Sequence, residues 1–257
     1  MERATVDRYE TGARSNMTYR HVPRTSLPLE LADLHRGLAP GAPVDVQVLY
    51  GPYDGHAGWT APDLRDLLIG AGFDVTRASV EHDVVQVSAG RAMTLADTVG
   101  GGMRLLVCGL NPSIYSAERG VGFARPGNRF WPAVIEAGLV SVDRDARHAL
   151  AHHGVGMTDL CKRATVASAE LSAAEYRTGA ERVKRLVRWL QPGAVCFVGL
   201  EGWRAAVDRK AVAGVQPVGF GGRPAYVVPS TSGRNARCRL PDLVTHFRAA
   251  AGLADTF

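Results

Sequence analysis

The chain has 257 residues, of which 46% are hydrophobic and 21% charged, enough apolar material for one large or two modest globular domains. No apolar run approaches the ~20 residues that cross a bilayer, so the sequence excludes a membrane-spanning protein. The N-terminus is polar and lacks the apolar stretch of a signal peptide, and we therefore expect a cytoplasmic protein.

The formal net charge of +5 is distributed unevenly along the chain. Residues 1–100 contain nine Lys and Arg against thirteen Asp and Glu, whereas residues 101–257 contain twenty-one against twelve. A basic half favours binding to phosphate groups. The solvated surface of an arginine-rich protein would give the same count without such a partner.

The pattern of the first hundred residues predicts a small α+β domain. Residues 1 to about 25 are polar, and we expect an irregular lead-in. Thr60 is placed to cap a helix. The remaining expectations, in chain order, are a helix over 29–38, a strand over 44–50, turns over 51–59, a helix over 60–69 and a hairpin over 73–80 and 84–89.

Two stretches of this half, LADLHRGLAPGAPV and TAPDLRDLLIGAGFDV, resemble late helices and strands of the class I S-adenosylmethionine-dependent methyltransferases. That fold binds its cofactor with a glycine-rich turn after its first strand, and no such segment precedes these stretches. We therefore predict an accessory domain over residues 1–93, a remnant of the methyltransferase fold. Residues 94–102, which end in three glycines, are predicted to be a flexible linker.

The second half alternates strands with helices. An apolar strand over 103–108 is followed by a sharp turn that carries Asn111, and Asn128 is placed to cap the next helix. The later elements, in order, are a helix begun by a capping box at Ser172, a strand over 194–198, a short helix carrying Trp203, a strand over 225–228 and a helix over 241–251. This order predicts a mainly parallel sheet with helices on both faces.

Four widely spaced cysteines, Cys108, Cys161, Cys196 and Cys238, do not form a CxxC site, and we predict no metal. Cys108 and Cys196 lie in apolar runs, where a reduced cysteine behaves as a small hydrophobic residue.

Three motifs stand in order along this half: GLNPS (109–113) followed by FARPGNRFW (123–131), then GVGMTDL (154–160), then VPSTSGRN (228–235). The set resembles the mismatch-specific uracil/thymine DNA glycosylases of the uracil-DNA glycosylase superfamily. The resemblance covers about residues 103–251. It implies a three-layer α/β/α sandwich over residues 103–257. It also implies an enzyme that acts on nucleoid DNA without a metal or an organic cofactor.

The resemblance also implies roles for individual residues. Asn111 would position the attacking water, Phe123 would stack on the flipped base, and Asp159 would meet the pyrimidine edge. The base pocket would comprise Leu110, Pro112, Ser113, Ser116, Phe123 and Asp159. The DNA-binding loop would comprise Ser230, Thr231, Ser232, Gly233, Arg234 and Asn235.

Within that loop, the hydroxyls would grip phosphates and Arg234 would wedge into the space left by the base. Gly233 and Asn235 would read the unpaired guanine, and Arg129 and Arg237 are further candidates for phosphate contacts.

Two positions depart from the family pattern. Ser113 replaces the usual glycine, and Asp159 stands where relatives carry Asn or Lys. An ionised Asp159 could accept from the base N3–H but would repel a departing base anion, or it could point away from the pocket as a surface charge.

We therefore expect a monomeric, monofunctional enzyme that removes uracil from double-stranded DNA at G·U mismatches. The first alternative is a protein that binds mismatched DNA with little catalysis, and the second is a methyltransferase. We also expect a chain that starts near Gly101 to keep glycosylase activity.

Overall fold

The computed structural model describes residues 5–11, 14–20, 22–23, 25–49, 60–82 and 84–256. The chain forms two compact units, Met1–Ala96 and Asp97–Phe257.

The first unit contains one five-stranded sheet with strand order β1-β2-β3-β5-β4. Strands β2 and β3 are parallel, and the other neighbours are antiparallel. Its elements are β1 (Thr5–Thr11), β2 (Arg14–Arg20), α1 (Leu27–Gly37), β3 (Pro43–Leu49), α2 (Ala61–Gly70), β4 (Phe73–Glu81) and β5 (Val84–Arg91). Thr60 caps α2 in a reciprocal capping box with Asp63, as the sequence indicates.

The prediction of an irregular lead-in is wrong, because β1 and β2 pair as a hairpin. In β2, Met17, Thr18 and Tyr19 are buried in succession, and the rest of the strand is polar. Apolar periodicity therefore gives almost no signal for the strand. The turns expected over residues 51–59 lie outside the described residues.

The second unit contains a five-stranded sheet with strand order β7-β6-β8-β10-β9, in which only β9 is antiparallel. The strands are β6 (Leu105–Gly109), β7 (Val155–Asp159), β8 (Ala194–Val198), β9 (Gly214–Val215) and β10 (Ala225–Val228). The helices are α3 (Ile114–Arg119), α4 (Phe130–Glu136), α5 (Ala146–His153), α6 (Ala173–Leu190), α7 (Leu200–Ala206) and α8 (Leu240–Ala254), with a 3₁₀ turn over Ser168–Glu170.

Both faces of this sheet are covered. Val107 on β6 belongs to a core that also contains Trp131 of α4 and Phe247 of α8. On β8, Phe197 packs against Trp203 of α7 with ring centroids 4.9 Å apart. Buried side chains therefore pack against helices on both faces of the sheet, which confirms the predicted α/β/α arrangement.

The predicted linker over 94–102 is partly built into the second unit. Thr98 exchanges two backbone hydrogen bonds of 2.8 Å with Met157 of β7, and Val99 is buried. Asp97 is buried as well and binds charged partners of the same unit. The packed part of the second unit therefore begins several residues before Gly101.

All four cysteines are buried and free. Among the described residues, no group of three or more His, Cys, Asp or Glu side chains is arranged to hold a metal ion. None of the described helices is long and apolar enough to cross a membrane.

Candidate active site

The three motifs meet at one edge of the second sheet. Strands β6, β7 and β10 run parallel within this sheet, so their carboxyl ends lie at the same edge. Gly109 at the end of β6 is paired with Asp159 at the end of β7. In open α/β sheets this edge is where ligands bind.

Asn111 stands in the turn after β6, and its amide is held from one side. Its Nδ2 donates to Thr165 Oγ1 at 2.8 Å, to the Arg163 carbonyl at 2.9 Å and to the Pro112 carbonyl at 3.1 Å. Because carbonyl oxygens only accept, these partners identify the nitrogen end of the amide. Oδ1 points the other way, and it makes no hydrogen bond to any residue that the structure describes.

The loop after β7 supplies this anchor. It runs beside the Asn111 turn, with the Cys161 N–H donating to the Leu110 carbonyl at 2.9 Å and the Thr165 N–H to the Pro112 carbonyl at 3.2 Å. Thr165 and Arg163 were not predicted as site residues from the sequence. Their roles depend on the pairing of two loops more than fifty residues apart, which no local pattern reveals.

Arg163 is itself fixed from the start of α6. Its Nε donates to Glu175 Oε1 at 2.7 Å, while Glu175 also accepts from the Ser172 N–H in the predicted capping box. The hydrogen bond from Arg163 lowers the pKa of Glu175 to about 2. The Arg163 backbone that holds Asn111 is therefore tied to a regular helix.

Ser113 and Ser116 form one hydrogen-bonded unit. Ser113 caps α3, accepting from the Ser116 N–H at 3.1 Å and donating to Ser116 Oγ at 3.1 Å. Ser116 is buried. The hydroxyl that replaces the family's glycine thus has a local structural role as a helix cap.

Phe123 is held in a strained conformation beside the sheet edge. Its φ is +58°, in the left-handed region that non-glycine residues rarely occupy. Its ring stacks on Phe130 with centroids 4.0 Å apart, and Trp131 Nε1 donates to the neighbouring Gly122 carbonyl at 2.8 Å. Strain of this kind persists where the surroundings enforce it and is common at functional sites.

Asp159 points over the backbone of Gly109. A Cβ added at Gly109 would come closer than 3.0 Å to Asp159 Oδ1 and would lie 3.3 Å from Phe123 Cζ. The carboxyl group and the ring therefore converge on a position that only glycine, which has no side chain, leaves open. Burial raises the pKa of Asp159 to about 6, against the opposing effects of Lys162 and Arg182. Asp159 is half-buried, and its carboxyl group lies beside Gly109 and Phe123.

A buried ion cluster lies next to Asp159. The Asp97 carboxylate accepts from Arg182 Nη1 at 2.7 Å, Thr158 Oγ1 at 2.7 Å and Lys162 Nζ at 2.9 Å. Despite burial, Arg182 and Lys162 hold the pKa of Asp97 below its ordinary value. This cluster could not be predicted from the sequence, because its members come from three separate stretches of the chain.

The loop after β10 is braced from within. Asn235 Nδ2 donates to the Ser230 carbonyl at 2.9 Å, and its Oδ1 accepts from the Arg237 N–H at 3.3 Å. Thr231 is only 2% exposed, whereas Ser230 is exposed and Ser232 is half-buried. In this conformation the Asn235 amide stabilises the loop, and Ser230 presents the most accessible of the three hydroxyls.

Arg129 and Arg234 differ in their surroundings. Arg129 donates to the carbonyls of Ser232 and Asn235 at 2.8 Å each and to that of Cys238, so its guanidinium holds the loop together. Arg234 is exposed, and its side chain makes no hydrogen bond or ion pair to a described residue.

The loop after β10, which carries the last motif, contacts the second part of the first motif (residues 123–131) at Gly233. A Cβ there would lie 2.8 Å from the Gly127 carbonyl oxygen, so the approach of the two backbones requires glycine. This contact places Arg234 next to the 123–131 segment that carries Phe123 and the exposed Arg125.

The sequence model of the family described as the Uracil DNA glycosylase superfamily matches residues 98–250 of the chain. The match spans more than half of the chain and includes Asn111, Phe123, Asp159 and the loop at Ser230–Asn235.

Proposed function

Because the chain belongs to the uracil-DNA glycosylase superfamily, whose members are DNA glycosylases, we propose that it is a monofunctional enzyme removing uracil from G·U mismatches in double-stranded DNA. The observation that carries this proposal is the one-sided anchoring of the Asn111 amide. It leaves Oδ1 directed away from the protein anchor and able to accept a hydrogen bond from a water molecule.

The proposed chemistry starts with the target nucleotide turned out of the duplex. The bond between N1 of the base and C1′ breaks, and the electron pair leaves with the base. Asn111 Oδ1 orients a water whose oxygen bonds to C1′, and because an amide cannot take up the proton as a carboxylate would, the proton passes to the departing base anion. The rate then depends on stabilising the departing base, for which backbone N–H groups of the Leu110–Ser113 turn are the proposed donors.

Phe123 and Asp159 are proposed to bind the flipped pyrimidine. Phe123 has one ring face stacked on Phe130, and we assign its exposed side to the base. Asp159 lies beside it over Gly109, which fits a contact with the N3–O4 edge of uracil. Arg234, exposed and unengaged, fits the role of the wedge, with Ser230 and Ser232 as phosphate contacts.

The test compares wild type with Asn111→Ala on a G·U duplex, with abasic sites revealed by alkaline strand cleavage. We expect wild type to cleave and the variant to lose cleavage while it retains duplex binding, because affinity comes mainly from phosphate contacts. A variant that loses binding and folding together would make Asn111 a structural turn residue and contradict the mechanism.

The first alternative, mismatch binding with little catalysis, is favoured by one observation. An ionised Asp159 in the pocket would repel the departing base anion. Wild-type binding to the G·U duplex without cleavage at any pH would support this alternative.

The second alternative is a methyltransferase. What supports the resemblance is the first unit's parallel β2–α1–β3 connection followed by the antiparallel pair β4–β5. The glycine-rich cofactor turn is missing from the sequence, and a calorimetric titration with S-adenosylmethionine tests the point. We expect no binding heat.

A further inference from the structure

Asp97 holds two buried cations beside the proposed base pocket. Lys162 Nζ lies 2.9 Å from one carboxylate oxygen of Asp97, and Arg182 Nη1 lies 2.7 Å from the other. The side chain of Lys162 is 11% exposed, and those of Arg182 and Asp97 are 5% exposed each. Arg182 Nη2 also donates to Thr158 Oγ1 at 3.1 Å and to the Asp159 backbone carbonyl at 2.8 Å.

Asp159 touches this cluster through its backbone but not through its carboxyl group. No described residue donates a hydrogen bond to the carboxyl oxygens of Asp159. Lys162 and Arg182 are nevertheless close enough to lower the pKa of Asp159, which Asp97 raises and burial raises more. Both cations are therefore within electrostatic reach of Asp159, yet both are bound to Asp97.

We propose that Asp97 is a positioning residue for the base pocket: by binding Lys162 and Arg182 it keeps the carboxyl of Asp159 unpaired and available to the pyrimidine. This inference rests on the proposed function, because it takes Asp159 as a base contact. Without the Asp97 carboxylate, the Lys162 ammonium would lose the carboxylate that it contacts at 2.9 Å, and the carboxyl of Asp159 is an available replacement.

Such a switch of partner would alter the pocket in two ways. An ion pair would engage the carboxyl of Asp159, and the Lys162 tip would enter the space over Gly109 beside Phe123. It would also fix Asp159 in its ionised form, since a nearby positive charge favours the carboxylate.

The other titratable groups that face Asp159 do not replace Asp97. Cys108 on β6 and Cys161 after β7 have pKa values raised by burial, so both remain neutral thiols at physiological pH. The charges that face Asp159 are consequently those of Lys162, Arg182 and Asp97.

The experiment uses the full chain and the isosteric variant Asp97→Asn. Carboxyl-carbon NMR of labelled aspartates follows the titration of Asp159, and single-turnover excision on a G·U duplex is measured from acidic to mildly alkaline pH. In wild type we expect the Asp159 midpoint near 6. In Asp97→Asn we expect the midpoint to fall to the ordinary aspartate range or below, and excision to drop about tenfold to a hundredfold.

Two matched variants separate positioning from loss of structure. Asp97→Asn/Lys162→Met removes the displaced cation, and we expect it to return the Asp159 midpoint toward that of wild type and to recover most of the excision. Asp255→Asn removes an exposed carboxylate paired with Arg104, and it should change neither readout.

The outcomes separate a failure of the inference about Asp97 from a failure of the proposed function. If Asp97→Asn is folded and the Asp159 midpoint does not fall, the inference is wrong while uracil excision by wild type upholds the proposed function. If Asp97→Asn does not fold, the double variant decides: a low midpoint without Lys162 contradicts the inference, and a midpoint near 6 supports it. If wild type excises no uracil at any pH, the proposed function fails and the pocket role of Asp97 fails with it.

Discussion

A chain that begins at Gly101 should be far less stable than one that begins at Thr94, although the sequence alone predicts that the shorter chain keeps its activity. The difference lies in the segment over residues 97–99, which packs inside the second unit. The shorter chain lacks the Asp97 carboxylate and leaves Lys162 and Arg182 as buried cations without that counter-ion.

The cost can be worked from three contributions. Removing one partner from a buried ion cluster costs about 3–5 kcal/mol. The two backbone hydrogen bonds between Thr98 and Met157 contribute about 0.5–1.5 kcal/mol each. Burial of the Val99 side chain contributes about 1.5–3 kcal/mol. The total of roughly 5.5–11 kcal/mol is comparable with the whole stability of a typical domain, about 5–15 kcal/mol.

Urea denaturation followed by circular dichroism compares the two chains, and excision on a G·U duplex provides a second readout. We expect the Thr94 chain to unfold cooperatively and to cleave, and the Gly101 chain to be largely unfolded without denaturant. Equal urea midpoints for the two chains would refute the assignment of residues 97–99 to the packed second unit.

Three further substitutions probe the pocket and the loop. Thr165→Val should slow excision about tenfold while Thr165→Ser does not, because only the hydroxyl accepts from the Asn111 amide; equal single-turnover rates would exclude the anchor. Ser116 is assigned to the side of the pocket that meets the C5 methyl group of thymine, so Ser116→Ala should raise the excision of thymine from G·T duplexes; discrimination against one methyl group is worth about 1–3 kcal/mol. Wild type should prefer G·U clearly, and comparable wild-type rates on the two substrates would contradict this assignment. Arg234→Ala should weaken excision from duplex DNA but leave the rate on single-stranded uracil DNA unchanged, because a wedge acts only where a base leaves a stack; a matched loss on both substrates would argue for a general binding role.

Regular elements and motif residues were predictable because their signals are local. The strand that ends at Gly109 is a run of apolar residues, and the structure confirms the predicted cap at Thr60 and the capping box at Ser172, whose signal spans only four residues. The hairpin β1–β2 was not predicted because its strands are mostly polar, so apolar periodicity gives little signal there.

The supports of the site could not be predicted, because they depend on contacts between distant parts of the chain. Thr165 lies 54 residues from Asn111, and Asp97 lies 85 residues from Arg182. The residue types carry no signal either, since Thr, Asp and Arg most often lie on the surface. Only the folded sheet brings the loop after β7 against the turn after β6.

Two residues of the proposed pocket break local rules. Phe123 adopts a left-handed backbone conformation, and the carboxyl group of half-buried Asp159 accepts no hydrogen bond from a described residue, although Arg182 and Lys162 lie nearby. The strained backbone costs stability, and the ring and the carboxyl group converge over Gly109, where a Cβ would displace them. Asp97, in the same unit, accepts hydrogen bonds from three donors, so the chain does supply donors for a carboxyl group next to this place. The carboxyl oxygens of Asp159 remain able to accept a hydrogen bond from a ligand such as the proposed pyrimidine.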